Sequence, residues 1–274
     1  MRKLQDRVAV VTGAASGIGL ALCQRLAQQG CHLALVDLNQ TGLAENAAQI
    51  AAQGKRVSIH VIDVSDKTVM ERLPDVVLSE HGEVHILVNN AGVSLAGPFE
   101  TLGLEDLEWI FGINFWGAVY GCKFFLPHLR CSEEAHIVNV SSTFGLFGLS
   151  TKTGYCATKF ALRGFSEALR AELSDTRIGL TCVYPGAVDT NLVRGGRTWD
   201  TEKQKMEAQF VASRSIPVDK VAARIVRGIE RNSPRVLIGS DAWLIDVMTR
   251  FSPTLMAALG ARSQKRVPFL KQHD

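Results

Sequence analysis

Short runs rich in Val, Ile and Leu recur along this 274-residue chain, separated by longer segments whose apolar residues follow a helical period. This alternation limits the possible fold more than any single motif does. Repeated strand–helix units pack by returning each new strand in parallel beside an earlier one, which builds a sheet with helices over its faces. The sequence predicts strands at Val8 to Thr12, His32 to Asp37, Val57 to Ile62, His85 to Asn89, His136 to Val140, Ile178 to Tyr184 and Arg235 to Ile238. It predicts helices near 17–29, 41–53, 66–81, 105–130, 154–174 and 217–231. The class is α/β, with a parallel sheet of about seven strands.

No composition shift or Pro/Ser-rich linker divides the chain, so one domain over 1–274 is expected. The polar stretch from Asn191 to Ser215, with Gly195-Gly196, falls between a strand end and the next helix and is a candidate mobile or helical cover over a site. The C-terminal stretch, 240–274, is expected as a helical extension. Its apolar segment from Ala242 to Gly260 is broken by Asp246, Arg250 and Pro253, which argues against a transmembrane helix and for a covered core edge or subunit contact.

A net charge of +3, with no Lys/Arg stripe interleaved with aromatic residues, gives no reason to expect nucleic acid as a partner. The six cysteines (Cys23, Cys31, Cys122, Cys131, Cys156 and Cys182) form no CxxC pair and have no zinc-type His spacing. Reduced thiols and a cytoplasmic location are the expectation. No HExxH or comparable cluster is present, and no metal is expected.

The unusual residues gather at one end of the expected strands. Thr12-Gly13-Ala14-Ala15-Ser16-Gly17-Ile18-Gly19 joins the first strand to a helix. Glycines there let the backbone approach a pyrophosphate, whose charge is favoured by the free amides of the helix start. The spacing of Gly13, Gly17 and Gly19 differs from the GxGxxG of many dinucleotide sites. Asp37 ends the second strand, where a carboxylate accepts hydrogen bonds from ribose hydroxyls and repels a 2′-phosphate. With Leu38 and not a basic residue next to it, NAD is preferred over NADP. Asp63, Asn89-Asn90-Ala91-Gly92, Ser141-Ser142 and Pro185-Gly186 end the later strands. In an open parallel sheet the ligand crevice lies outside these carboxyl ends. Tyr155 and Lys159 lie four apart, on one face if helical, where an ammonium beside a phenol lowers a pKa ordinarily about 10.

Together, Thr12-Gly-x-x-x-Gly-x-Gly19, Asn89-Asn-Ala-Gly92, Ser142 thirteen residues before Tyr155, and Tyr155-x-x-x-Lys159 resemble the short-chain dehydrogenase/reductase family, over about residues 7–190. The resemblance implies a Rossmann-type, doubly wound sheet and an NAD-dependent oxidoreductase that interconverts a secondary alcohol and a ketone. It implies Tyr155 as general acid/base, Lys159 on the nicotinamide ribose and lowering the Tyr155 pKa, Ser142 on the substrate oxygen, and Asn114 supporting a water-linked proton relay to the lysine. Gly13, Ser16, Gly17, Ile18, Gly19, Asp37 and Leu38 would meet the cofactor's adenosine and pyrophosphate side. Asp63 and Val64 match the adenine contacts, Asn90, Ala91 and Gly92 the cofactor-side turn. Pro185, Gly186, Val188 and Thr190 match the segment that holds the nicotinamide amide. Ser141 is expected to be structural or cofactor-side.

Ser142 as a hydrolytic nucleophile is disfavoured by the absence of a GxSxG elbow and of a His partner. Two alternatives stay open: an NADP-dependent carbonyl or 3-oxoacyl reductase, and a catalytically silent NAD-binding sensor or scaffold. Phe144, Leu146, Phe147 and Leu149 predict an apolar wall, hence a hydrophobic small-molecule alcohol or ketone, with Ser142, Phe144, Leu149, Tyr155 and Tyr184 meeting the substrate. A homodimer or homotetramer is expected. The helices at 105–130 and 154–174, which carry Trp109, Phe124, Phe125 and Phe165, are the candidate dimer contact.

Overall fold

Seven strands form one all-parallel sheet in the computed structural model, which describes residues 1 and 3–270. β1 (Val8–Thr12), α1 (Gly17–Gln28), β2 (His32–Asp37), α2 (Gln40–Ala51), β3 (Val57–Val61), α3 (Lys67–His81) and β4 (Ile86–Asn89) make the first half. A two-residue strand, β5 (Leu95–Ala96), precedes α4 (Leu104–Phe111), which continues through a π-helical turn, Gly112–Trp116, into α5 (Gly117–Leu129). Then follow β6 (Ala135–Val140), α6 (Thr153–Glu172), β7 (Ile178–Pro185), α7 (Asn191–Arg194), β8 (Arg197–Thr198), α8 (Thr201–Ser213), α9 (Val218–Glu230), β9 (Arg235–Ile238), α10 (Ser240–Phe251) and α11 (Pro253–Arg266).

The spatial order is β3-β2-β1-β4-β6-β7-β9, the doubly wound, Rossmann-type arrangement in which the order reverses between β1 and β4. Strands buried on both faces carry near-continuous apolar runs, as β1 does with every residue buried. Its side chains alternate between layers: Ala9 and Val11 pack with Leu22, Leu26, Ile225 and Ile229 on the α1/α9 side, and Val10 packs with Met70, Val77, Phe125 and Leu129 on the α3/α5 side. Helix ends are set by local chemistry. The Asp66 carboxylate accepts from Thr68 N at 2.8 Å to start α3, and Gly82, at φ 81°, ends it in the left-handed conformation.

Three expectations need correction. The run expected as one helix at 105–130 is interrupted by the π turn. The excursion at 191–215 is helical, one of its two expected forms, but it is also tied to the stretch after β4, since β8 pairs in parallel with β5 (Leu95 with Arg197, Ala96 with Thr198), and α8 caps on Asp200. Among the aromatic residues expected at a dimer contact, Phe125 is fully buried in the core and Trp109 lies under the Arg197 guanidinium, 4.1 Å from the ring centre. Trp116 and Phe160 are the exposed aromatic side chains of these helices, and Trp116 heads a stack with Tyr120 and Phe124. The expected C-terminal extension is two helices and a 3-10 turn, Pro268–Leu270; its positions 271–274 lie outside the described residues. Among the described residues no helix is long and apolar enough to cross a membrane.

His136, on β6, gives the fold a measurable acid sensitivity. Its Nε2 lies 2.8 Å from Thr181 Oγ1, and burial, more than the neighbouring positive charges, pushes its pKa down to about 3. The folded value lies below the unfolded 6.5, so the folded state resists a proton that the unfolded chain takes up. Stability is therefore full above about pH 6.5 and falls with pH down to about 3, by up to about 1.4 kcal/mol per pH unit. Denaturant melts of His136→Gln at pH 7 and pH 5 should lose about 2 kcal/mol less between the two than the unmodified chain; equal losses would place the acid sensitivity elsewhere.

Candidate active site

The carboxyl ends of β1, β2, β4, β6 and β7 open into a single crevice of about 570 Å³. At the β1 end, Gly13 (φ 68°) and Gly17 (φ 55°) adopt backbone conformations that side chains rarely take. A Cβ at Gly13 would press on the Asn90 amide and one at Gly17 on the Thr190 methyl. Gly19 is buried beneath the loop, and a side chain there would strike the Gly13 carbonyl. It shapes the turn without lining the crevice.

The turn after β4 is tied to this loop. Asn90 N and Ala91 N both donate to Thr12 Oγ1 at 3.0 Å, and Asn90 Nδ2 donates to Thr12 O at 2.9 Å. Asp37 Oδ2 accepts from Ala15 N at 3.0 Å and Oδ1 from Asn39 N at 3.0 Å, which leaves each oxygen a lone pair facing the crevice. Ser16, Ile18, Leu38, Asp63, Val64, Gly92, Pro185, Gly186, Val188 and Thr190 complete this side. A tight glycine turn at a helix start, a carboxylate one strand away and a second glycine turn across the switch point fit a dinucleotide.

At the other side, α6 presents Tyr155 and Lys159, both buried, to the crevice. The Ser142 hydroxyl lies beside the Tyr155 phenol and favours its ionised form, and Ser142 Oγ accepts from Phe144 N at 3.2 Å. Lys159 Nζ donates to Val140 O at 3.0 Å and stands 5.7 Å from the centre of the Tyr155 ring. Ser141 Oγ donates to Lys159 O at 2.9 Å, a structural bond that anchors α6 to β6. Asn114, in the π turn, clamps the chain after β4: its Oδ1 accepts from Val93 N at 2.8 Å and its Nδ2 donates to Val93 O at 3.0 Å. It is buried behind the crevice, with no direct bond to Lys159 among the described residues.

The expected lowering of the Tyr155 pKa is not what this arrangement produces. Burial pushes the phenol well above its ordinary range, and the Ser142 hydroxyl offsets only part of that. Lys159 is itself pushed down to about 8 by burial, because its partner is a neutral carbonyl.

Phe144 and Leu149 line the crevice as expected, and Phe144 packs edge-on to Tyr155 with ring centres 6.0 Å apart. Tyr184 does not. It is fully buried, packed with Leu146, Cys182, Leu237 and Ile245, its ring 5.1 Å from the Arg235 guanidinium. Ser94, in the stretch after β4, and Glu207, in the excursion expected to cover the site, meet Lys152 in the wall; the sequence reading missed Lys152, and Val267, Phe269 and Leu270, which close over the crevice from the C-terminal segment. Phe269 packs on Phe210 of α8 with ring centres 5.3 Å apart. The only advance signal was the apolar character of that segment.

The fold and the converging serine, tyrosine and lysine define a class, and residues 7–201 match the model of the short chain dehydrogenase family, to which this chain belongs. It is 39% identical over 254 residues to the putative oxidoreductase SadH of Mycobacterium tuberculosis, covering 91% of this chain and 92% of that one. Over 195 residues it is 35% identical to a 1-deoxy-11-beta-hydroxypentalenate dehydrogenase of Streptomyces exfoliatus, covering 70% and 71% of the two chains. A short chain dehydrogenase/reductase from Burkholderia phymatum, solved in complex with NAD, superposes with a TM-score of 0.87 at 28% identity, over 93% of this chain and 96% of that one. The chain is an oxidoreductase of this family.

Burying Lys159 has a cost that stability measurements read directly. Its folded pKa of about 8 lies below the 10.5 of a free side chain, so the folded state bears a penalty below pH 8 that is relieved as pH rises from 8 to 10.5. At pH 7, Lys159→Met should stabilise the cofactor-free protein by about 3 kcal/mol in denaturant melts, a gain that vanishes towards pH 10.5. No gain at pH 7 would mean that the bond to Val140 compensates the buried charge in full.

Proposed function

We propose that this protein is an NAD-preferring dehydrogenase that interconverts a secondary alcohol and a ketone on a hydrophobic small molecule. The observation that carries the reading is the buried Tyr155, Ser142 and Lys159 side chains lining together a crevice whose opposite side fits a dinucleotide. NAD, when bound, supplies the hydride acceptor and a positive ring close to the phenol.

Alcohol oxidation requires the hydroxyl proton to leave as the hydride does. Tyr155 Oη takes that proton, and in the reverse direction returns it to the ketone oxygen. Ser142 Oγ donates to the substrate oxygen and fixes its distance from Tyr155. Lys159 holds its ammonium beside the phenol ring and favours the phenolate, against the burial that raises the phenol pKa. Asn114 keeps the chain at Val93 in place, which positions one wall of the crevice and the path behind Lys159. Phe144, Phe147 and Leu149 exclude water from the reacting atoms and favour an apolar substrate body. The segment at 191–215 covers the substrate, since Leu192, Val193, Phe210 and Val211 reach the crevice.

Asp37 supports NAD over NADP, because its lone pairs suit ribose hydroxyls and its charge opposes a 2′-phosphate. The reading carries with it a cytoplasmic enzyme, in keeping with six free thiols, and a homo-oligomer joined through the α5 and α6 face that exposes Trp116 and Phe160.

Purified protein given NAD or NADP and a panel of secondary alcohols and ketones tests the whole reading; cofactor binding without turnover would instead indicate a sensor. Tyr155→Phe should lower turnover by about 10²–10⁴-fold while NAD still binds, and turnover near the starting level would remove the tyrosine from its role. In the double variant Asp37→Ala, Leu38→Arg, the ratio of kcat/KM for NADP over NAD should rise by about tenfold or more. An unmodified enzyme already faster with NADP would reverse the cofactor assignment.

A further inference from the structure

One buried ion pair lines the crevice without belonging to the machinery just described. Lys152 is the residue before α6, three positions ahead of Tyr155, and Glu207 lies on α8. Lys152 Nζ meets Glu207 Oε1 at 2.7 Å and Oε2 at 2.8 Å, and donates to Ser94 Oγ at 3.3 Å. Lys152 is 2% exposed and Glu207 8%, and both line the crevice with Ser94. The same crevice carries the apolar side chains of Phe147, Leu149, Phe210, Val211, Phe269 and Leu270.

Stability does not explain such a pair. Removing two charges from water costs as much as their attraction returns, and apolar side chains of the same volume would pack there at least as well. The backbone is also strained to put Lys152 in place. Thr151, β-branched and buried, sits at φ 63°, held by the bond from Gly97 N to its carbonyl at 2.9 Å. Strain of this kind persists where the surrounding structure imposes it, and it gathers at functional sites.

We propose that Glu207, Lys152 and Ser94 form a second polar subsite of the substrate chamber, which binds a neutral hydroxyl carried by the substrate away from its reacting carbon. The inference rests on the dehydrogenase reading and names the substrate class within it: an apolar body with a second, remote hydroxyl. Hydrogen-bond capacity selects that group. The lysine has three protons, and three oxygens lie around its Nζ: both of Glu207 and that of Ser94. The carboxylate keeps lone pairs beyond the two the lysine uses, and Ser94 keeps its hydroxyl proton among the described residues. A hydroxyl donates to the first and accepts from the second. A carboxylate on the substrate would set its charge against Glu207, and a purely apolar terminus would leave the carboxylate's remaining lone pairs dry.

The test uses alkan-2-ols of six to ten carbons, the matching diols with a hydroxyl on the far terminal carbon, and the matching hydroxy acids. Binding to the enzyme in the presence of NAD is followed by calorimetry, and kcat/KM is measured in parallel. At the chain length that spans the chamber, the diol should bind about tenfold or more tightly than the simple alcohol, and the hydroxy acid more weakly than both. The diol-to-alcohol ratio, taken within each variant so that general losses cancel, should fall towards one in Glu207→Leu. Glu207→Gln, which keeps a carbonyl acceptor and removes the charge, should retain part of the ratio and relax the exclusion of the hydroxy acid. Tighter diol binding with no turnover would uphold the subsite and remove the dehydrogenase reading. Diols binding no better than alcohols at every length in the unmodified enzyme would overturn the subsite, whatever the turnover.

Discussion

Thr12 and Asn90 join two strands whose following segments leave the sheet on opposite faces, and the crevice exists because that join holds. Where the strand order reverses, α1 departs over one layer of the core while the chain after β4 departs towards α4 and α5 over the other. Divergence of this kind opens a gap between the strand ends. The buried Thr12 hydroxyl accepts from two backbone amides of the second turn, and the Asn90 side chain donates back to the Thr12 and Gly13 carbonyls. The glycine loop is therefore fixed to the Asn-Ala-Gly turn, and not to its own strand alone. The same closeness explains the glycines, since a Cβ at Gly13 or Gly19 would meet the Asn90 amide.

Much of this was legible in the sequence, and the reason is local. Strand ends fell within a residue or two because most of the apolar runs are followed by Gly, Asn, Asp or Ser, which stop strands by their own backbone preferences. What failed was non-local or lacked a polar contrast. β7 is buried along its whole length, so no alternation of apolar and polar residues shows that Tyr184 belongs to the core and not to the crevice wall. The π turn leaves no mark in composition, yet one extra residue in a turn rotates everything after it by about 100°. A helical wheel drawn through 105–130 therefore puts aromatic residues beyond Asn114 on the wrong face, and Phe125 proves to be core. The pairing of β5 with β8 involves two residues on each side, too few to leave any period. Lys152 and Glu207 lie 55 positions apart, and nothing short of the fold brings them together.

The buried face of α6 shows why the site needs the rest of the core. Two ammonium groups, Lys152 just before α6 and Lys159 on its second turn, are drawn out of water, with a buried phenol between them. Their partners differ in kind. Lys152 meets a carboxylate with both oxygens engaged, so its charge is cancelled locally, whereas Lys159 meets only the dipole of the Val140 carbonyl, and its pKa falls to about 8. A group held close to its titration point is poorly suited to fastening a helix and well suited to exchanging a proton or answering a nearby change of charge. The helix must then be fastened by other means, and it is: Ser141 Oγ binds the Lys159 carbonyl, Ser166 Oγ receives the Asn139 amide at 2.9 Å, the Arg170 guanidinium donates to Asn232 Oδ1 at 3.0 Å and Asn232 O at 3.1 Å, and Leu162 is buried. Bonds and packing away from the crevice thus hold α6 in place, and neither crevice-facing ammonium has to do so alone.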